Sequence, residues 1–230
     1  MNSGKQEGRK KTAFKMIHSL QTLSVMTIPE DFWIKTTEHL ILSLGAVSFA
    51  IPIALGGALL SQGREGIKQS ISSFMSIFQT IPSLALFAFL IPFLGIGKTP
   101  ALFALTLYAI LPILRSTMTA LEECPQPLSE AAQVFGLTPF QILLRVQFPQ
   151  SLPQIISGIR TALVWTIGSA SLATFIGAGG LGDYIARGIA LLDTQLLLTG
   201  AIPTAFLAIL FDLIFSKIEM KANAWKQGKP

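Results

Sequence analysis

The chain has 230 residues and a formal net charge of +5, with 51% of its residues hydrophobic and only 13% charged. With a mean hydropathy of +0.60, this balance excludes an ordinary soluble domain and places the chain in a lipid bilayer. The lysines and arginines gather in a tail, in loops and at the C-terminus rather than in one aromatic-rich patch, so positive charge flanking membrane spans accounts for them and nucleic acid is not expected as a partner.

Residues 1–12 are polar and basic and are expected to be disordered. Ala13, Met16, Ile17, Leu20 and Leu23 then fall at helical spacing with Lys15, His18 and Gln21 between them, the pattern of a short amphipathic helix lying on the membrane surface. No clean apolar core follows the basic start, so a cleavable signal peptide is not expected. Pro29, Glu30 and Asp31 end the stretch, and Phe32-Trp33 reads as an interfacial anchor ahead of the first span.

A membrane-crossing helix needs about 20 apolar residues, and five stretches supply them: 40–60, 71–94, 99–121, 152–176 and 195–215. A tight basic loop with Arg64 and Lys68 separates the first two, Arg115 sits near the end of the third, and the connection 177–194 is rich in glycine. The expected fold is all-α and integral to the membrane, with about five transmembrane helices and a helix-turn-helix island between spans three and four. Residues 1–38 form a tail and amphipathic segment, 39–216 the membrane domain with the island loop at 122–150, and 217–230 a basic tail. With the island inside, Arg64, Lys68 and the C-terminal lysines fall inside too, while Lys98 and 177–194 fall outside. Three spans before the island put the basic N-terminal tail outside, against the charge rule, unless residues 13–28 fold back.

Several motifs fail on context. Gly177-Ala-Gly179-Gly180-Leu-Gly182 satisfies G-x-G-x-x-G, but a membrane span precedes it where a dinucleotide site needs a strand in a soluble βαβ unit. Close packing and a sharp turn at the outer mouth of a pore suit Gly177, Gly179, Gly180 and Gly182 better. Gly97-Lys98-Thr99 lacks the first glycine of a phosphate-binding loop, since Pro92 stands there. No hydrolase or zinc motif is present and the two histidines, His18 and His39, are isolated, so neither enzyme activity nor a metal site is expected. The single Cys124 excludes an internal disulfide, and beside Glu122 and Glu123 it suits a reduced cytoplasmic face.

Two polar places inside the apolar pattern call for explanation. Pro82 within Gln79-Thr80-Ile81-Pro82-Ser83 removes a helix hydrogen bond near mid-membrane, where Gln79, Thr80 and Ser83 must pair with neighbours or line water. Asp212 in span five suits an interhelical role, pairing with Arg160 of span four, better than contact with a solute.

The polar island runs from Glu130-Ala131-Ala132 through Gly136 to Val146-Gln-Phe-Pro149. Ser129 is placed to cap a helix with Glu130 in its first turn, the alanines let another backbone approach, and Gly136 breaks the helix. Thr138 caps a second short helix with Pro139 at its first position, and Pro149 ends it. This stretch resembles the EAA motif of importer-type ABC transporter permeases, with Val and Phe standing for Ile and Leu in its Ile-x-Leu-Pro close. The runs around Gln79-Thr-Ile-Pro-Ser, Leu107-Tyr108-Ala-Ile-Leu-Pro112 and Phe175-Ile-Gly-Ala-Gly-Gly-Leu-Gly-Asp183 resemble the osmoprotectant branch, less closely the methionine branch.

The resemblance implies a permease subunit in a bacterial inner membrane, serving an ATP-driven importer of glycine betaine, carnitine, choline or similar solutes. Methionine or a thiol-containing betaine is the alternative cargo. It implies that Glu130, Ala131, Ala132, Gly136 and Pro149 form the surface that couples to an ABC ATPase dimer, and that Gln79, Thr80, Pro82 and Ser83 line the path. Its partners are that ATPase, which holds the ATP and magnesium, a second permease subunit (a copy or a paralogue) and an external substrate-binding protein. An ion-coupled secondary transporter fits less well, because the spans carry few ionisable residues at mid-membrane and show no inverted repeat.

Overall fold

The structure, a computed structural model, describes residues 29–226; the amphipathic stretch expected at 13–28 and the end of the basic tail lie outside the described residues. Among the described residues every regular element is helical. In chain order they are α1 (Phe32–Ser61), α2 (Glu65–Thr80), α3 (Ser83–Leu94), α4 (Lys98–Glu122), α5 (Gln126–Val134), α6 (Pro139–Ile142), a π turn (Leu143–Gln147), α7 (Phe148–Ala170), a 3₁₀ segment (Ser171–Ile176), α8 (Gly182–Leu191) and α9 (Thr194–Lys226).

Four of the helical stretches are long and apolar enough to cross a membrane: α1, α4, the continuous run Pro139–Ile176, and α9. The α2–α3 pair makes the fifth crossing as a broken span, bent by 98°. Three boundaries depart from the sequence pattern. The helix of span one starts at Phe32, so the aromatic pair expected to precede it forms its first turn, because no helix breaker lies between Phe32 and Leu40. The helix of span five runs on past the apolar stretch to Lys226, since residues 216–226 contain neither glycine nor proline. The glycine-rich connection also contains a ten-residue helix, α8, where only a turn was expected.

The core is built around α4, which packs against α1, α7, α2 and α3. Its tight fit rests on small residues. Ala46, Ala50, Ala54 and Ala58 recur every fourth place along α1 and are all buried, so one face of that helix meets its neighbours backbone to backbone. At Gly158 of α7, a Cβ would sit 2.5 Å from Ser116 Cβ of α4, and only glycine allows that approach. Leu111, Ile113, Leu114, Leu163 and Ile167 fill the space beside the alanines. Hydroxyls buried among them return a hydrogen bond to their own helix, as Ser43 to the His39 carbonyl and Thr117 to the Ile113 carbonyl, which satisfies them without water.

The α1–α2 turn and the island segment α5–α6 lie at one end of the bundle. The α3–α4 turn, the start of α1, and α8 with its glycine turn lie at the other. This alternation is what five crossings require, and it sets the start of α1 opposite the island.

Candidate functional site

The island folds as a helix-turn-helix. Pro125 precedes α5, Pro127 sits in its first turn, and no side chain caps it. The sequence expectation that Ser129 caps this helix is therefore corrected: the two prolines start it four residues earlier, Glu130 falls mid-helix and exposed, and the Ser129 hydroxyl faces Gln147. The end of α5 is as expected. Gly136 has φ +80°, its N–H donates to the Gln133 carbonyl at 2.8 Å and the Leu137 N–H to the Ala132 carbonyl at 3.1 Å, the paired bonds of a Schellman turn. The Thr138 hydroxyl caps α6 by accepting from the Gln141 N–H, and the Thr138 N–H donates the reciprocal bond of the capping box to Gln141 Oε1 at 2.9 Å, with Pro139 at the first helical position.

Pro149 does not end the second helix. It lies in the first turn of α7, and the chain continues without a stop from α6 through the π turn into the span. Proline has no N–H for the carbonyl four residues back, so a widened turn placed just before it keeps the helix going where an α ladder would lose a bond.

Ala132 and Ile142 turn into the island, which holds its two helices together. Val134, Phe135 and Phe140 turn outward, 87%, 83% and 68% exposed. These three large side chains form an exposed apolar patch around the Schellman turn of a polar protrusion. Of the predicted coupling residues, Glu130, Ala131 and Gly136 share this exposed segment, Ala132 supports it from below, and Pro149 stands apart at the base of α7.

The second group of predicted residues surrounds the break in span two. Gln79, Thr80 and Pro82 are exposed on the surface of the single chain, and Ser83 opens α3. The Thr80 hydroxyl donates to the Ile77 carbonyl at 2.7 Å. At the break itself the Tyr108 hydroxyl of α4 donates to the Ile81 carbonyl at 2.5 Å, satisfying an acceptor exposed by the kink. No local pattern announces this contact between residues 27 apart. Tyr108→Phe is expected to leave that carbonyl unpaired and to destabilise the purified chain by about 1–2 kcal/mol, read as a lower temperature at which the monodisperse fraction falls by half.

At the opposite end the glycine turn closes against α1. Gly177, Gly179 and Gly180 all have positive φ, between +77° and +86°. A Cβ on Gly179 would lie 2.5 Å from Glu38 Oε2, and one on Gly182 would lie 2.1 Å from the Ser171 carbonyl oxygen. The four glycines are thus brought together in a tight turn, in which Gly179 packs on the Glu38 side chain, Gly180 on His39 and Gly182 on the Ser171 backbone, while Gly177 faces open space. Around them is a polar network that the sequence pattern did not reveal, since its links to α1 join residues 60 to 153 apart. Lys98 donates to Glu38 at 2.8 Å, and the Gly180 N–H donates to the other Glu38 oxygen at 3.2 Å. Lys35 donates to Asp183, which also accepts from the Thr174 hydroxyl. Tyr184 donates to Asp31 at 2.6 Å; burial first, then this bond, raises its phenol above the ordinary range, so it stays a donor.

One turn further in, the buried His39 Nε2 lies 2.9 Å from the Ile167 carbonyl. The Ser171 N–H, which would bond that carbonyl in an α-helix, turns instead to Gly168 and Ser169 as the helix tightens to 3₁₀. The imidazole N–H takes the acceptor released, and the paired geometry fixes Nε2 as the protonated nitrogen.

Arg160 of α7 and Asp212 of α9 pair as expected. The guanidinium donates through Nε to Oδ1 at 2.6 Å and through a terminal nitrogen to Oδ2 at 2.7 Å, a two-pronged match, with Glu219 at 3.3 Å on its other side. The acid is occupied by the neighbouring helix. Among the described residues no group of three or more His, Cys, Asp or Glu is placed to hold a metal.

Comparison with known proteins agrees with this arrangement. The family profile described as "Binding-protein-dependent transport system inner membrane component" matches residues 46–222. The carnitine transport permease protein OpuCB of Listeria monocytogenes is 40% identical over 188 residues, 82% of this chain and 86% of that protein. The glycine betaine/carnitine/choline transport system permease protein OpuCB of Bacillus subtilis (strain 168) is 43% identical over 190 residues, 82% of this chain and 87% of that protein. Among solved structures, an inward-facing conformation of the MetNI methionine ABC transporter superposes with a TM-score of 0.76 at 25% identity, covering 84% of this chain and 97% of that chain. An all-helical membrane bundle with an exposed helix-turn-helix between its third and fourth crossings, matched over most of its length, is a member of the family of binding-protein-dependent transport system inner membrane components.

Proposed function

We propose that this chain is the membrane-spanning permease subunit of an ATP-driven importer for small quaternary-ammonium or zwitterionic solutes such as glycine betaine, carnitine and choline. The observation that carries the cargo is the identity of about 40% over four fifths of the chain with permeases named for those solutes. Methionine rests on the fold likeness at 25% identity and is the weaker reading.

In this reading the exposed Val134, Phe135 and Phe140 around Gly136 seat in a groove of a separate ATPase subunit, with Glu130 and Ala131 on the same face. Closure of the ATPase dimer on ATP moves the island, and the run from Pro139 to Ile176 carries that movement into the bundle. Gln79, Thr80 and Pro82, exposed at the break of span two, and the half-buried Ser83 line the path against a second permease subunit. The glycine turn closes the outer mouth, where an external binding protein delivers solute.

The test is reconstitution with an ATPase subunit and a binding protein in liposomes. Uptake of labelled glycine betaine, carnitine or choline is expected to require ATP and to be competed by the other two but not by methionine. Uptake without any ATPase subunit would overturn the importer reading, and competition by methionine would overturn the cargo.

A further inference from the structure

At the island end, three elements far apart in the chain are joined by two amide side chains. Gln62, which follows the last turn of α1, donates through Nε2 to Oε1 of Gln147, the last residue of the π turn. Gln147 donates in turn through its own Nε2 to the Ser129 hydroxyl of α5 at 3.4 Å. The Gln147 carbonyl is 2.8 Å from the Ser151 hydroxyl, which lies equally close to the Ala120 carbonyl at the end of α4. The chain of contacts runs along a recess of about 400 Å³ between the α1–α2 turn and the island, floored by Ile142 and Leu143.

The π turn explains why such a link is needed. Its wider ring holds an extra residue compared with an α turn, which makes it a compliant joint between the island and α7. Through a compliant joint alone, movement of the island is partly absorbed before it reaches the span. The Gln62–Gln147–Ser129 series bypasses that absorption: it fixes the end of the joint to α5 on one side and to α1 on the other. Glutamine suits the middle position because its amide both accepts and donates.

We propose that Gln147 is a positioning residue that passes displacement of the island to the turn between α1 and α2, so that α1 and the bent α2–α3 pair move together with α7. This rests on the coupling role given above. The experiment measures solute uptake and ATP hydrolysis side by side in the reconstituted importer. Absence of uptake by the unaltered chain counts against the transport reading itself, whereas the link is judged only by variants relative to that control.

Gln62→Leu fills similar space without an amide. It is expected to co-purify with the ATPase and hydrolyse ATP as the unaltered chain does, with uptake per ATP reduced roughly two- to tenfold, the range that one net hydrogen bond commands. Gln62→Glu lets the Gln147 amide turn over, so that its N–H donates to the new carboxylate while its Oε1 accepts from the Ser129 hydroxyl, and is expected to retain about half or more of the ratio. An unchanged ratio in Gln62→Leu, or an equal fall in Gln62→Glu, would overturn the proposal. Should Gln62→Leu fail to reach the membrane, Gln62→Ala and Ser129→Ala take its place with the same expected fall, and an unchanged ratio in both overturns it.

Discussion

Replacing Gly136 by proline is expected to leave the chain inserted in the membrane while reducing ATPase co-purification, solute uptake, or both on the order of tenfold or more. Three effects act together. The residue sits at φ +80°, and proline is held near −65°. Its N–H donates to the Gln133 carbonyl, a bond proline cannot make. Phe135 before it has φ −78° and ψ 5°, a helical setting that a following proline disfavours. The Schellman turn that aims Val134, Phe135 and Phe140 then comes apart, although α4 and α7 on either side keep their core. Gly136→Ala separates shape from space. Nothing lies within 4 Å of an added Cβ, so that variant meets only the backbone strain of about 1–2 kcal/mol and is expected to keep much of its uptake. Uptake by Gly136→Pro at the unaltered level would remove the island from the coupling role.

The second large effect is expected at the opposite end. Gly182→Ala places a methyl group 2.1 Å from the Ser171 carbonyl oxygen and within 3 Å of two more backbone atoms, none of which can swing aside as a side chain does. Separating the 3₁₀ segment from α8 is expected to cost about 3 kcal/mol or more. Gly177→Ala is the contrast, because its φ of +77° is strained but its surroundings are open, and a loss of about 1–2 kcal/mol is expected there. Heating the two purified variants and following the monodisperse fraction ranks them; equal midpoints would mean that the glycine turn is not packed as described.

The sequence carried the architecture because its strongest signals are local. A run of apolar residues long enough to cross a bilayer needs no partner to be recognised, and Gly136, Thr138 and Pro139 each impose a backbone geometry on their own position. The Arg160–Asp212 pair was legible for a related reason: two opposite charges in adjacent spans have few other places to go. The start of α5 was misread because Ser129 and Glu130 make a credible cap, yet Pro125 and Pro127 fix the helix entry upstream. α8 was hidden by the glycines before it, although Asp183, Tyr184 and Arg187 alternate with apolar residues at helical spacing. Pro82 announced a kink but not a bend of 98°, which also depends on Tyr108 and on how α3 packs. Least legible was the network of Asp31, Lys35, Glu38, Lys98 and Asp183, whose members meet only once the bundle is assembled.

The alanine ladder of α1 has a mechanical result. Side chains of one carbon have no alternative rotamers, so where Ala46, Ala50, Ala54 and Ala58 meet α4 and α7 there is a single seating and nothing to slide past it. α9 is tied to α7 by the two-pronged Arg160–Asp212 pair and to α8 where Gly200 meets the Leu181 carbonyl, whereas α2, with none of its residues buried, is held far less firmly. The molecule is therefore a stiff spine with one looser wing, and in the proposed importer that wing is where contacts with lipid or a second subunit would exchange.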